Sequence, residues 1–340
     1  MQDVDRNPFR IIGIEASPYA AKVRAVFRYR RLPHIWVARM PQYFLETQAV
    51  RPLIMPVVQY PDGDYRTDST PILLDLECRF PGQRSILPNH PGQAFLAALI
   101  EDFADEWLVK SLFHYRFDRP EDQRAGAMWV MDDAHPDVDA AELEALTAAF
   151  ITRQVARKPL VGCTPENAPL FEKLYAEVLG VMEEFVATDR FLFGSRPSLA
   201  DFGVFGQLQT LAVDPTPAAI MRRVALRTLN WVKRLQDASG VDGHWQGPSK
   251  PASGVVAALL SMCGRWYLPF LKANAHAVQN HLPSVSVDLD GHAYCQPPFR
   301  YQNQCFGRLR SLYQGLPDQA RAAIDPILAE TGCRPYLAEL

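Results

Sequence analysis

The sequence predicts a small α/β unit followed by an all-α unit, with about a hundred further residues beyond both. Three observations predict this. An apolar run, FRIIGIEA (9–16), gives way at Ala20 to a helical period. Strand and turn signals then alternate at short spacing as far as Phe80. Beyond a Pro/Gly-rich stretch at 81–92, helical patterns follow one another for about 150 residues.

The elements follow in order. Residues 9–16 end in a small residue, as a buried first strand does. In the next helix Val23, Val26 and Phe27 share one face, while Lys22, Arg24, Arg28 and Arg31 are expected to point elsewhere. LPHIWVAR (32–39) reads as a second strand, and RPLIMPVVQY (51–60) as a third with Pro56 at its start. Asp62-Gly63 is a hairpin signal, returning as a fourth strand over 64–68. Ser69–Phe80 is then a helix, with Pro71 tolerated in its first turn and Pro81-Gly82 ending it. The order β-α-β, then β-β-α, is that of a thioredoxin-like domain.

These signals place a disordered lead-in at 1–8, the thioredoxin-like domain at 9–82, a linker at 83–92 and a helical domain at 93–240. Residues 241–340 form a C-terminal extension. Gln93–His114 reads as one long amphipathic helix, with others at Ala140–Val155 and Pro169–Thr188. Ser198 and Asp201 form a capping box, worth ~1–2 kcal/mol, ahead of an unusually apolar and therefore central helix. The extension predicts a helix over Val255–Asn280, a hairpin turning at Asp290-Gly291 and a last helical stretch over Asn303–Leu328.

Composition narrows the function. Apolar residues make up 48% and charged residues 21%, a globular balance, and the net charge of −3 argues against a nucleic-acid partner. No run approaches ~18 uninterrupted apolar residues, and the polar N-terminus lacks a secretory core, so a cytoplasmic location without membrane association is expected. The six cysteines (78, 163, 263, 295, 305, 333) make no Cys-x-x-Cys pair and are expected to be reduced, with no metal site.

Four pieces in order carry a resemblance: SPYAAKVR (17–24), Pro56 followed by two valines, Asp68-Ser69 opening a helix, and FGSRPSLADF (193–202). Over about residues 9–240 the chain resembles the cytosolic-type glutathione transferases. The resemblance implies glutathione as co-substrate, a small apolar electrophile as second substrate, and a homodimer. It also implies a non-catalytic alternative, because this fold hosts binding proteins too.

Ser17 stands where a redox relative carries its first cysteine, at the junction of a strand and a helix N-terminus. A hydroxyl there cannot be the attacking sulfur, and Ala20 removes the resolving one, so dithiol cycling is excluded. By resemblance the sulfur is glutathione's, with Ser17 donating to its thiolate. Lowering a thiol pKa by about two units takes about 2.7 kcal/mol, which one charge-assisted hydrogen bond and a helix terminus together supply. The plain alternative is a helix N-cap. Tyr19 is a rival hydroxyl or a packing group.

Pro56 resembles the cis-proline that turns Met55 toward a peptide ligand; an ordinary trans proline is the alternative. Asp68 and Ser69 would hold the γ-glutamyl end, Asp68 with a shorter arm than the family's usual Glu or Gln. Ile54 stands where several relatives have a lysine for the glycyl carboxylate, leaving Arg39, Arg51 or the extension as substitutes.

In EDFADEWLVKSLFHYR (101–116), Asp102 and Glu106 share a helix face, read as a solvated or ion-paired surface in preference to a metal or acid–base site. Trp107, Phe113, His114 and Tyr115 are candidates for the electrophile pocket, with His114 also readable as a satisfied interior histidine. The segment YCQPPFRYQNQCFGRLR (294–310), with Arg300, Gln304 and Cys305, is either a lid or packing over helix surface.

Overall fold

The computed structural model describes residues 7–82, 84–247 and 252–338. All but the last two residues of the expected lead-in therefore lie outside the described residues.

The first unit is β1 (Phe9–Gly13), α1 (Pro18–Arg30), β2 (His34–Ala38), α2 (Pro41–Thr47), β3 (Val57–Gln59), β4 (Tyr65–Thr67) and α3 (Ser69–Arg79). Its sheet runs β2-β1-β3-β4, with β1/β2 parallel and the other pairs antiparallel. This is the thioredoxin-like arrangement. Phe9, Ile11 and Ile12 are fully buried because β1 sits inside the sheet. The helix α2 had no signal in the sequence, since seven residues are too few to show a period.

A helical rod follows: α4 (Pro91–Phe103), a π turn (Ala104–Leu108) and α5 (Val109–Asp118). The expected single helix is thus continuous but widened in its middle. Then come α6 (Pro120–Ala134), α7 (Ala140–Val155), a 3-10 turn (Lys158–Val161), α8 (Ala168–Phe185), α9 (Leu199–Leu211), α10 (Pro215–Val224) and α11 (Leu226–Leu235). All of α9 is buried. Its capping box is present: Ser198 Oγ accepts from the Asp201 amide at 3.4 Å, and Asp201 accepts from the Ser198 and Leu192 amides at 2.8 and 3.0 Å. A Cβ on Gly206 would meet the Pro18 carbonyl oxygen at 2.7 Å, so α1 and α9 pack backbone to backbone there.

The extension comprises α12 (Gly254–Met262), a π turn (Cys263–Tyr267), α13 (Leu268–Gln279), the hairpin β5 (Val285–Leu289) and β6 (His292–Gln296), α14 (Arg300–Gln314), α15 (Asp318–Glu330) and α16 (Arg334–Ala338). The expected last helix is split at Gly315–Pro317, where proline has no amide to donate. The rod Gly254–Gln279 has the length and hydropathy of a membrane span, yet 61% of its apolar window is buried inside the protein. It packs on α8 and α14, while α14 and α15 cover α4. Trp107, Phe171, Phe270 and Tyr294 stack across this junction, so the extension shares the core of the helical unit. All six cysteines are unpaired, and four are buried.

Candidate functional site

A cavity of about 480 Å³ opens where the first unit, the α4–α5 rod and the extension meet. The first unit contributes Tyr19 from α1, Ile54 and Met55 ahead of β3, and Asp68 and Ser69 at the start of α3. The Met55–Pro56 bond is cis, and Val57 begins the pairing with β1. Asp68 takes a positive φ of 73°, uncommon for a residue with a side chain, immediately before the helix. Thr67 Oγ1 donates to the Ile54 carbonyl at 3.1 Å and so ties the two loops together.

The rod supplies the opposite wall. Asp102, Asp105, Glu106, Val109, Lys110 and Phe113 all line it. Glu101, Asp102 and Asp105 are buried and Asp102 is ion-paired, so of the solvated and ion-paired faces expected it is the ion-paired one that Asp102 shows. Lys22, expected to point outward, is fully buried and pairs with Glu101 at 2.8 Å and with Asp105. Thr70 donates to Glu101 at 2.6 Å, and Asp102 pairs with Arg308 and accepts from Tyr267. Burial pushes the Asp105 carboxyl up to about 7, against the pull of Lys22. Burial, with Asp102 and Asp105 nearby, holds Glu106 well above the usual carboxyl range. The same burial holds the Tyr19 phenol up, and its hydroxyl donates to the Asp105 carbonyl at 2.9 Å.

The extension forms the roof with Gln296, Phe299, Tyr301, Gln302 and Arg308. Tyr301 donates to Asp68 at 2.8 Å and Gln302 to the Glu106 carbonyl at 3.2 Å. These residues went unnamed in the sequence. The 294–310 segment drew attention for Arg300, Gln304 and Cys305, none of which lines the cavity. The one usable signal was the i, i+1 aromatic–amide pair Tyr301-Gln302 on the first turn of α14.

Ser17 is the N-cap of α1, its hydroxyl accepting from the Ala20 amide at 3.3 Å. It is half-buried and stands outside the cavity lining, next to Tyr19. Its loop is clamped from the helical unit. Arg116, buried and paired with Asp214 at 2.8 and 2.9 Å, donates to the Ala16 carbonyl at 2.9 Å, and Asp133 accepts from the Glu15 amide at 2.7 Å. Pro56 is likewise outside the lining. Of the four aromatic or imidazole candidates on the rod, Phe113 reaches the cavity. Trp107 lies in the aromatic core, Tyr115 packs on Tyr175, and His114 is buried with Nε2 3.3 Å from Glu172. Arg39 stacks on Phe44, and Arg51 bonds local carbonyls, so neither lines the cavity.

Residues 11–84 match the family model described as glutathione S-transferase, N-terminal domain. Several solved structures are similar to the chain. A glutathione S-transferase from Methylobacterium radiotolerans JCM 2831, in complex with glutathione sulfonate, is 20% identical, covering 70% of this chain and 96% of that one at a TM-score of 0.42. Beta-etherase LigF from Sphingobium sp. strain SYK-6 is 19% identical over 68% and 97%, at 0.47. The Tau class glutathione S-transferase MiGSTU from mango, Mangifera indica L., is 13% identical over 67% and 87%, at 0.41. No curated protein matches the chain.

Proposed function

We propose that this protein, whose residues 11–84 match a glutathione S-transferase N-terminal domain, binds glutathione and transfers it to a small apolar electrophile. The observation that carries this reading is the meeting of Met55, Asp68 and Ser69 on one cavity wall with apolar Val109 and Phe113 opposite. Met55 would pair with the cysteinyl backbone. Ser69 and the α3 N-terminus would take the γ-glutamyl carboxylate. Ser17 accepts an amide hydrogen and keeps its own proton to donate to the sulfur. The thiolate's lone pair forms the new S–C bond, and the leaving group departs with the electrons of the broken one. No general base is required, because the thiol proton passes to solvent water as the sulfur ionises on binding.

Glutathione titrated calorimetrically, with the bound sulfur's ionisation followed by ultraviolet absorbance, tests the reading. Wild type is expected to bind and ionise it, and Ser17→Ala to bind with the thiol largely protonated. An absence of binding at millimolar glutathione overturns the enzyme reading; equal ionisation in both proteins removes the role of Ser17 alone. A homodimer belongs to the same reading, measured as mass in solution.

One observation favours a second reading, a binding protein with a covered site. The Tyr301 hydroxyl already occupies Asp68, one of the two groups expected to hold the γ-glutamyl end. Under that reading Tyr301→Phe tightens glutathione binding, by about tenfold for one lost competing hydrogen bond to a charged acceptor. Unchanged affinity leaves the enzyme reading in place.

A further inference from the structure

Among the described residues, the other buried or half-buried cations around this cavity meet carboxylates. Lys22 has Glu101 and Asp105, Arg308 has Asp102, and Arg116, behind the Ser17 loop, has Asp214. Lys110 does not. It is 3% exposed, lines the cavity, and donates from Nζ to two neutral acceptors, the Val161 carbonyl and Gln296 Oε1, each at 2.7 Å. The Trp107 and Phe270 rings lie 5.5 and 5.2 Å from the nitrogen. Among the described residues no carboxylate oxygen comes within ion-pair distance of it. An ammonium carries three N–H groups, and two are used. The third, on the stretch of wall that Lys110 shares with Val109 and Phe113, is a donor whose best complement is an anionic oxygen.

We propose that Lys110 anchors a carboxylate on the second substrate, which is therefore an apolar molecule with one anionic end. This rests on the reading that the cavity takes a co-substrate beside glutathione. No carboxylate among the described residues forms an ion pair with the lysine on its part of the wall. Glu106, one turn earlier on the rod, is an acidic neighbour beyond ion-pair distance, and burial beside Asp102 and Asp105 pushes its carboxyl well above the usual range. Cys163, beyond the 3-10 turn, has its thiol pushed up to about 12, and the Tyr294 phenol on β6 is held well above its ordinary value. Lys158 on the turn is paired with Asp118 at 2.9 Å, and α13 presents the Phe270 ring. Burial lowers Lys110 itself to about 8, so at neutral pH it is mostly charged, and a bound anion would hold the proton on it more firmly.

Hexanoate, hexanol and hexylamine, titrated calorimetrically into the full chain, test this directly. At about pH 7 hexanoate is expected to bind at least about tenfold more tightly than hexanol, the effect of one hydrogen bond between charged partners. The preference is expected to vanish at about pH 10, where the ammonium is lost, and in Lys110→Met. Equal binding of hexanol, tighter binding of hexylamine, or a preference surviving in Lys110→Met each overturns the proposal. Should Lys110→Met fail to fold, because Val161 and Gln296 lose their partner, the pH series in wild type decides alone. Glutathione and its glycyl ethyl ester form a further arm. If Lys110→Met weakens glutathione and not the ester, the lysine serves glutathione's own carboxylate and the proposal fails. The hexanoate series needs no glutathione, so failure of the glutathione reading and failure of this one are seen separately.

Discussion

Lys22 shows how a single residue can be misplaced by pattern alone. Its charge groups it with Arg24 and Arg28, although on a helical wheel it stands beside Val26, and a lysine is among the residue types least often fully buried. Its real surroundings, Glu101, Asp105 and Thr70, come from the rod and from α3, at separations no local window spans. Ser17, Asp68 and Ser69 drew notice through short motifs; Lys22 lies in the same SPYAAKVR stretch as Ser17, yet nothing in that stretch says what its side chain meets. Lys22→Met leaves Glu101 and Asp105 buried without a cation and is expected to lower stability by about 3–5 kcal/mol, read as a shift of the urea midpoint. Lys110 gives a pH prediction. Its pKa is about 8 in the folded protein against the ordinary 10.5, so between those values the unfolded chain holds the extra proton. Raising the pH through that window therefore favours the folded state. Urea midpoints measured from about pH 7.5 to 10 are expected to gain this increment in wild type and to lack it in Lys110→Met.

Among elements, α9 was the most readable, because Ser198 and Asp201 announce its start and its apolar length announces burial. The close approach of α1 at Gly206 was not readable, since a glycine in a helix has many explanations. Gly206→Ala would set a methyl 2.7 Å from the Pro18 carbonyl oxygen. It is expected to destabilise by about 1–3 kcal/mol, seen as a lower thermal midpoint, even though alanine is the better helix former. The π turn Ala104–Leu108 was also invisible, because one extra residue in a turn barely disturbs a periodicity read over 22 residues. It sits where Asp105 and Glu106 enter the cavity wall, in keeping with the tendency of such turns to mark functional sites.

For the molecule as a whole, the first 80 residues and the helical succession were legible as a fold, and the role of the last hundred was not. A lid and a packing layer were both open readings of 294–310. Within that segment Tyr294 packs on Trp107, while Tyr301 and Gln302 line the cavity. Sequence could not decide this, because the partners Asp68, Asp102 and Glu106 lie about 200 residues away. Arg308→Met removes the cation from Asp102, leaving Tyr267 as its remaining side-chain partner. The expected result is faster amide exchange along Arg300–Gln314 than in wild type, while the sheet of the first unit is unaffected.

The hydrogen bond from Tyr301 to Asp68 spans 233 positions of chain. During synthesis the N-terminal unit is made first, long before its roof exists. A nascent chain that has folded only its first 240 residues would present Asp68 and the apolar wall of the rod to the surrounding solution. Whatever the cavity admits, its final selectivity is thus a late event in the life of each molecule, set when the last helices dock.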